Sequence, residues 1–584
     1  MSLRPSLLAL RIPCAPVLAS LALLGLAACA TATPGGSSKS PAEAAVQAPP
    51  AEERSAFGLF LAGQAALEDD SDHDAADYFQ RAGRHDDEAL IRQKAFLAAV
   101  VSGEIDRAAL LAPPAGEGSL PMQKLGQLVR AVDALAEGRG KDANAAMLKD
   151  PGGFTYVGGY QLIKPWAAIA AGDAVHAVQL PDTQGQRLNR LAAMLTRSLI
   201  YERLKRYDEA ESGYKTLTAN LQLGAYYVLP YGAFMERRGR AKDASALYRK
   251  YLARVPGERS LQRALARAEG RKPAPPAPDL KAGAAEALVS AAQLALVQKS
   301  VDESEVYLRL ALRLDPQNEE AWLWLGDIRS AGGRYAEARL FYGKIAPTAD
   351  SSLEARQRVI TSYMNGGEPD KALVLARELV KFAPGDRDTL LALADALRGT
   401  MQFDESAQVL TTVMNADPAS VDWTLYYLRG TSLSQAGHWP DAEKDLTKAL
   451  SLQPDEPEIL NYLGYSWVEK GERLQQAMGM LQKAASASPE SGEIADSLGW
   501  AYYHLGDYRQ AVQNLERAVT LNAVSAEIND HLGDAYWRVG RQIEAQFQWR
   551  RVLGLKPSGA LKAQAEHKLS SGLEAPTAPA VAQG

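Results

Sequence analysis

The feature that most constrains this fold is a repeat of about 34 residues that recurs eight times between Ala285 and Pro557. Its copies begin at Ala285, Glu319, Leu353, Arg387, Trp423, Pro457, Gly492 and Ala526. Because repeated units of this size contact mainly their neighbours when they stack, no single core has to hold such a chain together. The length of 584 residues therefore does not by itself set a number of globular domains.

Within each copy, small and large residues stand at fixed places. Position 8 is glycine in five copies and alanine in two, and Ile360 is the exception. Position 20 is alanine or serine in all eight copies, large apolar residues fill positions 7 and 17 in most, and proline usually stands at position 32. A bulky side chain at position 8 or 20 would overpack a seam between two helices by roughly 1–3 kcal/mol, and proline ends a helix. The pattern predicts two closely packed antiparallel helices in each copy.

This period, with small residues at positions 8 and 20, an aromatic residue at 17 and proline at 32, resembles the tetratricopeptide repeat. The stretch LGDIRSAGGRYAEARLFYGKI, from Leu325 to Ile345, is closely similar to that family. The resemblance implies an all-α fold, a superhelical solenoid of helix-turn-helix units. Residues 285–557 would form eight tetratricopeptide repeats.

Residues 56–270 carry the same pattern in a degenerate form, and we predict about six further helical pairs there. Leu59, Gly63, Ala75 and Phe79, for example, fall at positions 4, 8, 20 and 24 of a first copy. The alternative is an unrelated α-helical domain.

The segment 271–284 lies between these two helical regions and is rich in proline, with four prolines between Lys272 and Pro278. Each proline fixes its own backbone and biases the preceding residue away from helix. We predict a stiff linker there that divides the solenoid into two arms.

Residues 558–573 have apolar spacing for one helix that closes the solenoid, with Leu561, Ala565 and Leu569 on one side. Lys562, Glu566 and Lys568 are expected to point toward water. We predict that residues 574–584 form a disordered tail.

Residues 1–28 have the form of an export signal, since two arginines precede an apolar run, Pro16 to Gly25, that is too short to span a bilayer. The signal ends in Leu26-Ala27-Ala28-Cys29, which resembles the bacterial lipobox, and this resemblance implies lipidation of Cys29. The alternative is an ordinary signal peptide with a coincidental cysteine. Residues 29–55 are mostly small and polar and are predicted to be a flexible tether.

The lipobox also bears on location. Ala30 follows the cysteine, where some lipoproteins retained in the inner membrane have aspartate. We therefore expect a lipid anchor in the outer membrane, with the protein facing the periplasm. The other cysteine, Cys14, would leave with the signal, so no disulfide is predicted.

The sequence shows no motif for catalysis or metal binding. Its seven histidines form no HExxH pair and no zinc-site spacing, and there is no GxSxG elbow or phosphate-binding glycine loop. We predict no catalytic residue, no metal and no cofactor, and hence a protein that is not an enzyme. A formal net charge of −6 gives no reason to expect nucleic acid as a partner.

Tetratricopeptide solenoids commonly bind ligands with positions 2, 5, 9, 12 and 13 of their first helices. In the last four copies these positions combine aromatic with polar side chains, as expected of a protein-binding surface. The predicted groove residues are Tyr427, Tyr465, Trp500, Tyr503, Trp537, Asn461, Asp496, Asp530 and Arg538, with His504 and Asp534 beside them. The alternative is that these rings pack against the helix of the adjacent repeat.

Three stretches carry a narrower resemblance, to a family of proteobacterial tetratricopeptide-repeat lipoproteins. They are LNYLGYSWVEKGERLQQAMGML, DSLGWAYYHLGDYRQAVQNLERAV and DHLGDAYWRVGRQIEAQFQWRRVL, which begin at Leu460, Asp496 and Asp530. At least one such lipoprotein is an outer-membrane partner of a periplasmic carboxyl-terminal processing protease and recruits its cell-wall hydrolase substrates. The resemblance implies a non-catalytic adaptor that binds periplasmic proteins, and it transfers no individual binding residue.

The alternative function is a structural component of an envelope assembly. Such assemblies include those for outer-membrane protein insertion, polysaccharide export and pilus biogenesis.

Overall fold

The computed structural model describes residues 55–574, apart from 69–70, 86–87, 115, 149, 154, 182–186, 220–224, 256 and 556. The proposed signal peptide, Cys29, nearly all of the tether and residues 575–584 lie outside the described residues. Within the described ranges we find thirty α-helices, one 3-10 turn at Pro418–Ser420 and no strand. The all-α fold is therefore confirmed.

Numbered in chain order, the helices of residues 56–270 are α1 (Ala56–Glu68), α2 (Asp72–His85), α3 (Ala89–Ser102), α4 (Ile105–Leu111), α5 (Leu120–Ala136), α6 (Gly140–Ala146), α7 (Val157–Ala170), α8 (Ala174–Ala177), α9 (Arg187–Arg203), α10 (Tyr207–Thr218), α11 (Ala225–Arg237), α12 (Ala241–Leu252) and α13 (Arg259–Glu269).

The helices that follow are α14 (Leu280–Val297), α15 (Val301–Leu314), α16 (Glu319–Ala331), α17 (Tyr335–Tyr342), α18 (Ser352–Asn365), α19 (Pro369–Phe382), α20 (Arg387–Gly399), α21 (Phe403–Ala416), α22 (Trp423–Gln435), α23 (Trp439–Leu452), α24 (Pro457–Lys470), α25 (Leu474–Ala487), α26 (Gly492–His504), α27 (Tyr508–Leu521), α28 (Ala526–Arg538), α29 (Gln542–Gly554) and α30 (Gly559–Ser571).

The eight predicted repeats are the eight helical pairs from α14/α15 to α28/α29. Six first helices, α16, α20, α22, α24, α26 and α28, begin at the residue where the repeat pattern places them. α14 starts earlier, at Leu280, because Asp279 caps it by accepting a hydrogen bond from the amide of Ala282 at 2.8 Å.

The glycine at position 8 meets the side chain at position 24 of the same pair. A Cβ added to Gly326 would lie 2.2 Å from the ring of Tyr342, and one added to Gly533 would lie 2.5 Å from that of Trp549. The small residue at position 20 is fully buried in all eight pairs. The predicted close approach of the two helices thus depends on a small residue facing a large one.

The exception at position 8 follows the same rule. Ile360 is 2 % exposed, and the residue at position 24 of its own pair is Ala376, which is 0 % exposed in the same apolar cluster. The next pair has the opposite order, Ala394 at position 8 and Leu410 at position 24. In both pairs, as in the glycine pairs, a small residue at one seam position is combined with a larger one at the other.

Residues 56–270 contain thirteen helices in the described ranges, six successive pairs and the additional α13. A Cβ on Gly63 would lie 2.7 Å from the ring of Phe79, which is the glycine contact of the later repeats. That these six pairs are degenerate copies of the repeat stays a prediction.

The contacts divide the chain into two compact units, one ending at Ser352 and the other beginning at Leu353. The proline-rich segment, which has no regular structure from Lys272 to Asp279, lies inside the first unit. The boundary between the two units therefore does not lie at the proline-rich segment, where we predicted a division into two arms. The reason is that α14 and α15 pack against the preceding helices. The ring of Trp166 covers Gly283, and Arg313 pairs with Asp133 at 2.8 Å.

α14 is the one described helix that is long and apolar enough to cross a membrane. Over half of it, 56 %, is buried inside the protein, against α7, α9 and α15. Burial in a core accounts for its composition.

The closing helix is α30, and Ala565 is its buried residue. The expectation that Lys568 points toward water is wrong. Its side chain is 13 % exposed, and Nζ donates to Asp530 at 2.7 Å and to Asp534 at 2.8 Å. The long aliphatic stem of lysine allows the ammonium group to reach back across the preceding pair.

Candidate functional site: the first-helix surface of the second unit

The candidate site consists of positions 2, 5, 9, 12 and 13 of the first helices α18, α20, α22, α24, α26 and α28, here called the first-helix surface. Among these first helices, α24 contacts α26 and α26 contacts α28, and Tyr427 of α22 contacts Tyr462 of α24. Side chains at these positions therefore meet between neighbouring repeats.

A cavity of about 360 Å³ opens in the first half of this surface. It is lined by Met364, Asp395, Arg398, Gly399, Phe403, Tyr427, Thr431, Gln435 and Tyr462. Tyr427 lies edge-on to Tyr462, with 6.1 Å between the ring centroids, and burial raises its pKa to about 12. The Tyr427 hydroxyl is therefore neutral near pH 7 and can donate a hydrogen bond.

Two predicted residues, Asn461 and Tyr465, lie on α24. Tyr465 is half-buried, and burial together with the nearby Glu469 raises its pKa well above the usual range. The Oδ1 atom of Asn461 is buried and accepts no hydrogen bond. This region combines an apolar ring with an unused acceptor.

Trp500 on α26 lies at the centre of an aromatic cluster. Its ring is nearly parallel to those of Tyr503 and His531, at centroid distances of 4.6 and 3.9 Å. Its Nε1 donates to Glu469 at 3.0 Å, and Glu469 also faces His504 at 3.5 Å. Trp500 is therefore fixed by contacts from three successive repeats.

Asp496 and His531 form a buried pair between α26 and α28. The Nδ1 atom of His531 lies 2.9 and 3.0 Å from the two carboxylate oxygens of Asp496. Burial acts to lower the pKa of His531, but the Asp496 carboxylate outweighs it, so the pKa is raised above its usual value. The ring stacked on Trp500 thus gains positive charge more readily than a free histidine.

Asp530 and Asp534 form a second acidic group at the end of the surface. Both are nearly buried, and the Trp549 indole donates to Asp534 at 3.0 Å. Burial raises the pKa of Asp534 to about 6, against the effect of the Lys568 ammonium group. The Oδ1 atom of Asp530 has no hydrogen-bond partner.

The last two predicted residues face the closing helix. Trp537 is half-buried beside Trp549, at a centroid distance of 5.4 Å, and its ring covers Gly572. Arg538 donates from Nε to the Tyr503 hydroxyl at 3.0 Å and from a terminal nitrogen to the carbonyl of Glu574.

The structure therefore brings the predicted residues together in three groups: Tyr427 at the cavity, Tyr465 with the Trp500 cluster, and the acidic pair with Trp537 and Arg538. Trp500 contacts both neighbouring repeats, as the packing alternative expects, whereas Trp537 packs on Trp549 of its own pair and on Gly572 beyond the closing helix. Both rings keep part of their surface exposed. Their role in binding a partner stays a prediction.

Three residues that contribute to these groups were not among the predicted groove residues. Glu469 stands at position 13, so the repeat register could have identified it. His531 stands at position 6, which is not among the ligand-facing positions, and Lys568 belongs to the closing helix. Neither residue can be recognised as part of this surface from the sequence, because only the tertiary contacts place it there.

The surface is strongly acidic over its last three repeats. Seven carboxylates and one cation stand at its ligand-facing positions: Glu458, Glu469, Glu493, Asp496, Glu527, Asp530, Asp534 and Arg538. The second helices of the same repeats carry five basic and two acidic residues. The two helices of each pair thus differ in charge.

Among the described residues, no group of three or more histidine, cysteine, aspartate or glutamate side chains is arranged to hold a metal ion. What the surface offers is apolar contact area, hydrogen-bond acceptors and negative charge. These are the means of binding another molecule.

The tetratricopeptide repeat family matches residues 279–556. The chain is 24% identical to tetratricopeptide repeat protein 8 of Caenorhabditis elegans over 153 residues, which is 26% of this chain and only 30% of that protein. Among solved structures, it is similar to the APC/C hetero-tetramer Cut9-Hcn1, at 16% identity and a TM-score of 0.41, covering 88% of this chain and 96% of that one.

A tetratricopeptide repeat protein from Parabacteroides merdae is also similar, at 14% identity and a TM-score of 0.37, covering 44% of this chain and 98% of that one. Together with the eight helical pairs, the family match to residues 279–556 confirms the predicted repeat solenoid.

Proposed function

Since residues 279–556 are tetratricopeptide repeats, we propose that this protein is a non-catalytic adaptor that binds other proteins on the first-helix surface of its second unit. The observation that carries the proposal is the composition of that surface. Half-buried aromatic rings and carboxylates lie side by side on it, and a cavity of about 360 Å³ opens beside Tyr427. Rings that are held in place and partly exposed contribute strongly to protein interfaces because little side-chain entropy is lost on binding.

The proposal includes a location and an anchor. The adaptor is held in the outer membrane by lipid on Cys29 and faces the periplasm, with residues 30–55 as its tether. The support is the lipobox-like sequence that ends at Cys29 and the small, polar composition of the segment after it.

The proposed partners are a periplasmic carboxyl-terminal processing protease and its cell-wall hydrolase substrates. The support is the similarity of the last three repeats to those of proteobacterial repeat lipoproteins. In this function the adaptor increases the local concentration of the substrate at the protease, and it needs no chemistry of its own.

Site-specific photo-crosslinking in intact cells tests the proposal. A photoreactive phenylalanine analogue replaces Tyr465 or His504 on the first-helix surface. The matched control places it at Lys444, whose side chain is 76% exposed on the second helix α23. The expected adducts are a protease and wall hydrolases, identified by mass spectrometry, from Tyr465 and His504 and not from Lys444.

Other adducts would change the conclusion in a defined way. Components of an outer-membrane protein insertion, polysaccharide export or pilus complex would replace the protease proposal with the assembly function. Adducts at Lys444 and none at the other two positions would contradict the assignment of the first-helix surface.

A further inference from the structure

The chain's own segment after α30, residues 572–574, lies on the end of the first-helix surface. Gly572 packs on the ring of Trp537. The backbone carbonyl of Glu574 accepts a hydrogen bond from Arg538 at 2.5 Å. Trp537 and Arg538 stand at positions 12 and 13 of the last repeat, which are ligand-facing positions. A short segment without regular structure therefore already occupies part of the proposed binding surface.

The backbone of Gly572 takes a direction that a helix end does not require. Gly103 and Gly471, which also end helices, have φ of 88° and 68° with ψ of 10° and 20°, the left-handed geometry of a common helix cap. Gly572 combines φ of 72° with ψ of −168°, a conformation that essentially only glycine adopts. Since an ordinary cap would end α30 equally well, the contacts beyond the helix decide the path of residues 572–574.

Each of these contacts selects a different chemical group. A Cβ added to Gly572 would lie 2.2 Å from the Trp537 ring, so this close approach admits only a residue without a side chain. Leu573 packs against the buried apolar cluster that contains Trp549. The Arg538 guanidinium binds a backbone carbonyl, which every residue provides. The contacts together select glycine followed by an aliphatic residue.

The occupied end of the surface adjoins the aromatic cluster of the preceding repeat. Arg538 donates from Nε to the Tyr503 hydroxyl at 3.0 Å, and the Tyr503 ring stacks on Trp500 at 4.6 Å. A partner segment that extends from Trp500 toward the last repeat would therefore meet residues 572–574. Because two segments cannot cover the same ring and accept from the same guanidinium group at once, the partner and the resident segment exclude each other.

We propose that Trp537, Arg538 and the apolar cluster around Trp549 form a subsite for a partner segment in which glycine is followed by an aliphatic residue. Residues 572–574 occupy this subsite when no partner is bound, and a partner segment of the same chemistry displaces them. A segment tethered in this way competes at an effective concentration of about millimolar, so it sets the affinity that a partner must exceed. The inference rests on the proposed binding function and specifies the chemistry of the bound segment.

Fluorescence anisotropy with the full chain, purified in detergent, tests the subsite. The probe is the labelled peptide Ser-Gly-Leu-Glu-Ala-Pro, which copies residues 571–576, and a control peptide has valine in place of its glycine. In the protein, Leu573→Asp releases the resident segment, because a charge is disfavoured against an apolar cluster, and it leaves Trp537 and Arg538 unchanged. We expect this variant to bind the probe at least about tenfold more tightly than the unaltered chain does. It should bind the control peptide at least about tenfold more weakly than the probe, because the added side chain meets the Trp537 ring.

Matched variants locate the binding. Leu452→Asp makes the same change at a leucine that is 44 % exposed at the end of the second helix α23, and it should change the affinity for the probe less than about twofold. Arg538→Met, added to Leu573→Asp, removes the donor to the peptide carbonyl and should weaken the probe about tenfold. Leu573→Ala keeps the segment uncharged and should raise the affinity by a smaller factor than Leu573→Asp, so the test does not depend on how the aspartate variant folds.

Two outcomes would overturn the inference. If the probe bound the unaltered chain and both Leu573 variants equally, or bound none of them, residues 572–574 would serve only to close α30. Equal binding of the two peptides would remove the selection for glycine. In either case, crosslinked proteins at Tyr465 or His504 would still support the adaptor function. Failure of the probe together with no crosslinked protein at those two positions would contradict the adaptor function as well.

Discussion

At the residue scale, buried carboxylates join consecutive helices. Each accepts a hydrogen bond from a ring on the second helix of its own pair and pairs with a cation from the helix that follows. The three sets are Glu202 with Tyr214 and Arg237, Glu236 with Tyr248 and Arg267, and Asp534 with Trp549 and Lys568. A carboxylate with both partners remains satisfied when it is buried, so these groups fix the order of stacking.

Loss of Lys568 should therefore destabilise the end of the second unit. Lys568→Met leaves Asp530 and Asp534 buried beside each other without a cation, which should cost about 3–5 kcal/mol. Chemical denaturation, with hydrogen exchange across α28 and α30, measures the effect. Lys562→Met, at a side chain that is 60% exposed on the same helix, is the control and should be nearly neutral.

Adding Asp530→Asn and Asp534→Asn to Lys568→Met tests the mechanism. The uncharged triple variant should recover much of the lost stability. A triple variant as unstable as Lys568→Met would mean that the lysine acts by packing and not by charge.

His531 should make the stability of the second unit depend on pH. Its folded pKa is raised above the unfolded value of about 6.5. The stabilising contribution is thus fully present below pH of about 6.5 and is lost as pH rises through the higher folded value. Urea unfolding between pH of about 6.5 and 8.5 should show falling stability, above the range in which Asp534 titrates.

Asp496→Asn removes the carboxylate that raises the pKa of His531, so the fall of stability with rising pH should become shallower. The fall that remains is expected from Glu456, whose pKa is raised to about 7 by its hydrogen bond with Glu458 and by partial burial. An unchanged slope in this variant would show that another group titrates in this range.

At the scale of the element, each helical pair is closed by a small residue at one seam position and a large one at the other. Gly326 faces Tyr342 and Gly533 faces Trp549, whereas Ile360 stands opposite Ala376 in sequence register. Because interiors are close-packed, the sum of the two volumes is constrained more tightly than either residue.

An exchange of volumes between Ile360 and Ala376 tests this rule. Ile360→Ala alone should cost about 2–5 kcal/mol by opening a cavity, and Ala376→Leu alone about 1–3 kcal/mol by overpacking. Together they reproduce the Ala394 and Leu410 arrangement of the next repeat, so the double variant should lose less than the sum of the two changes. Urea denaturation of the four proteins measures the coupling, and strict additivity would show that the two positions do not share a seam.

At the scale of the whole molecule, the proposed anchor makes Cys29 the residue that decides where the adaptor acts. Cys29→Ala should abolish incorporation of labelled fatty acid and move the protein from the membrane fraction to the soluble fraction. Its far-ultraviolet circular dichroism should stay unchanged, because the helical repeats begin well after this residue. Cys14→Ala is the control and should alter neither property. Retention of the Cys29 variant in the membrane fraction would contradict the lipid anchor.

Much of the fold and part of the site could be predicted from the residues alone. The starts of six first helices follow from the repeat register, because local spacing of small, large and proline residues decides where a helical pair begins and ends. The groups around Tyr427 and Trp500 follow from the same register, since ligand-facing positions of adjacent first helices must meet. The contacts of those rings did not follow, because His531 stands outside these positions.

The sequence by itself determined the local content of this protein: helical pairs, their boundaries, and the acidic and aromatic character of the first-helix surface. Only the tertiary structure decided that the proline-rich segment does not separate α14 from the preceding helices, and that Lys568 turns inward to Asp530 and Asp534. The physical reason is the distance along the chain over which each effect acts. Periodic patterns act between residues within one repeat, whereas burial of an apolar helix or of a charged side chain depends on surfaces that distant segments supply.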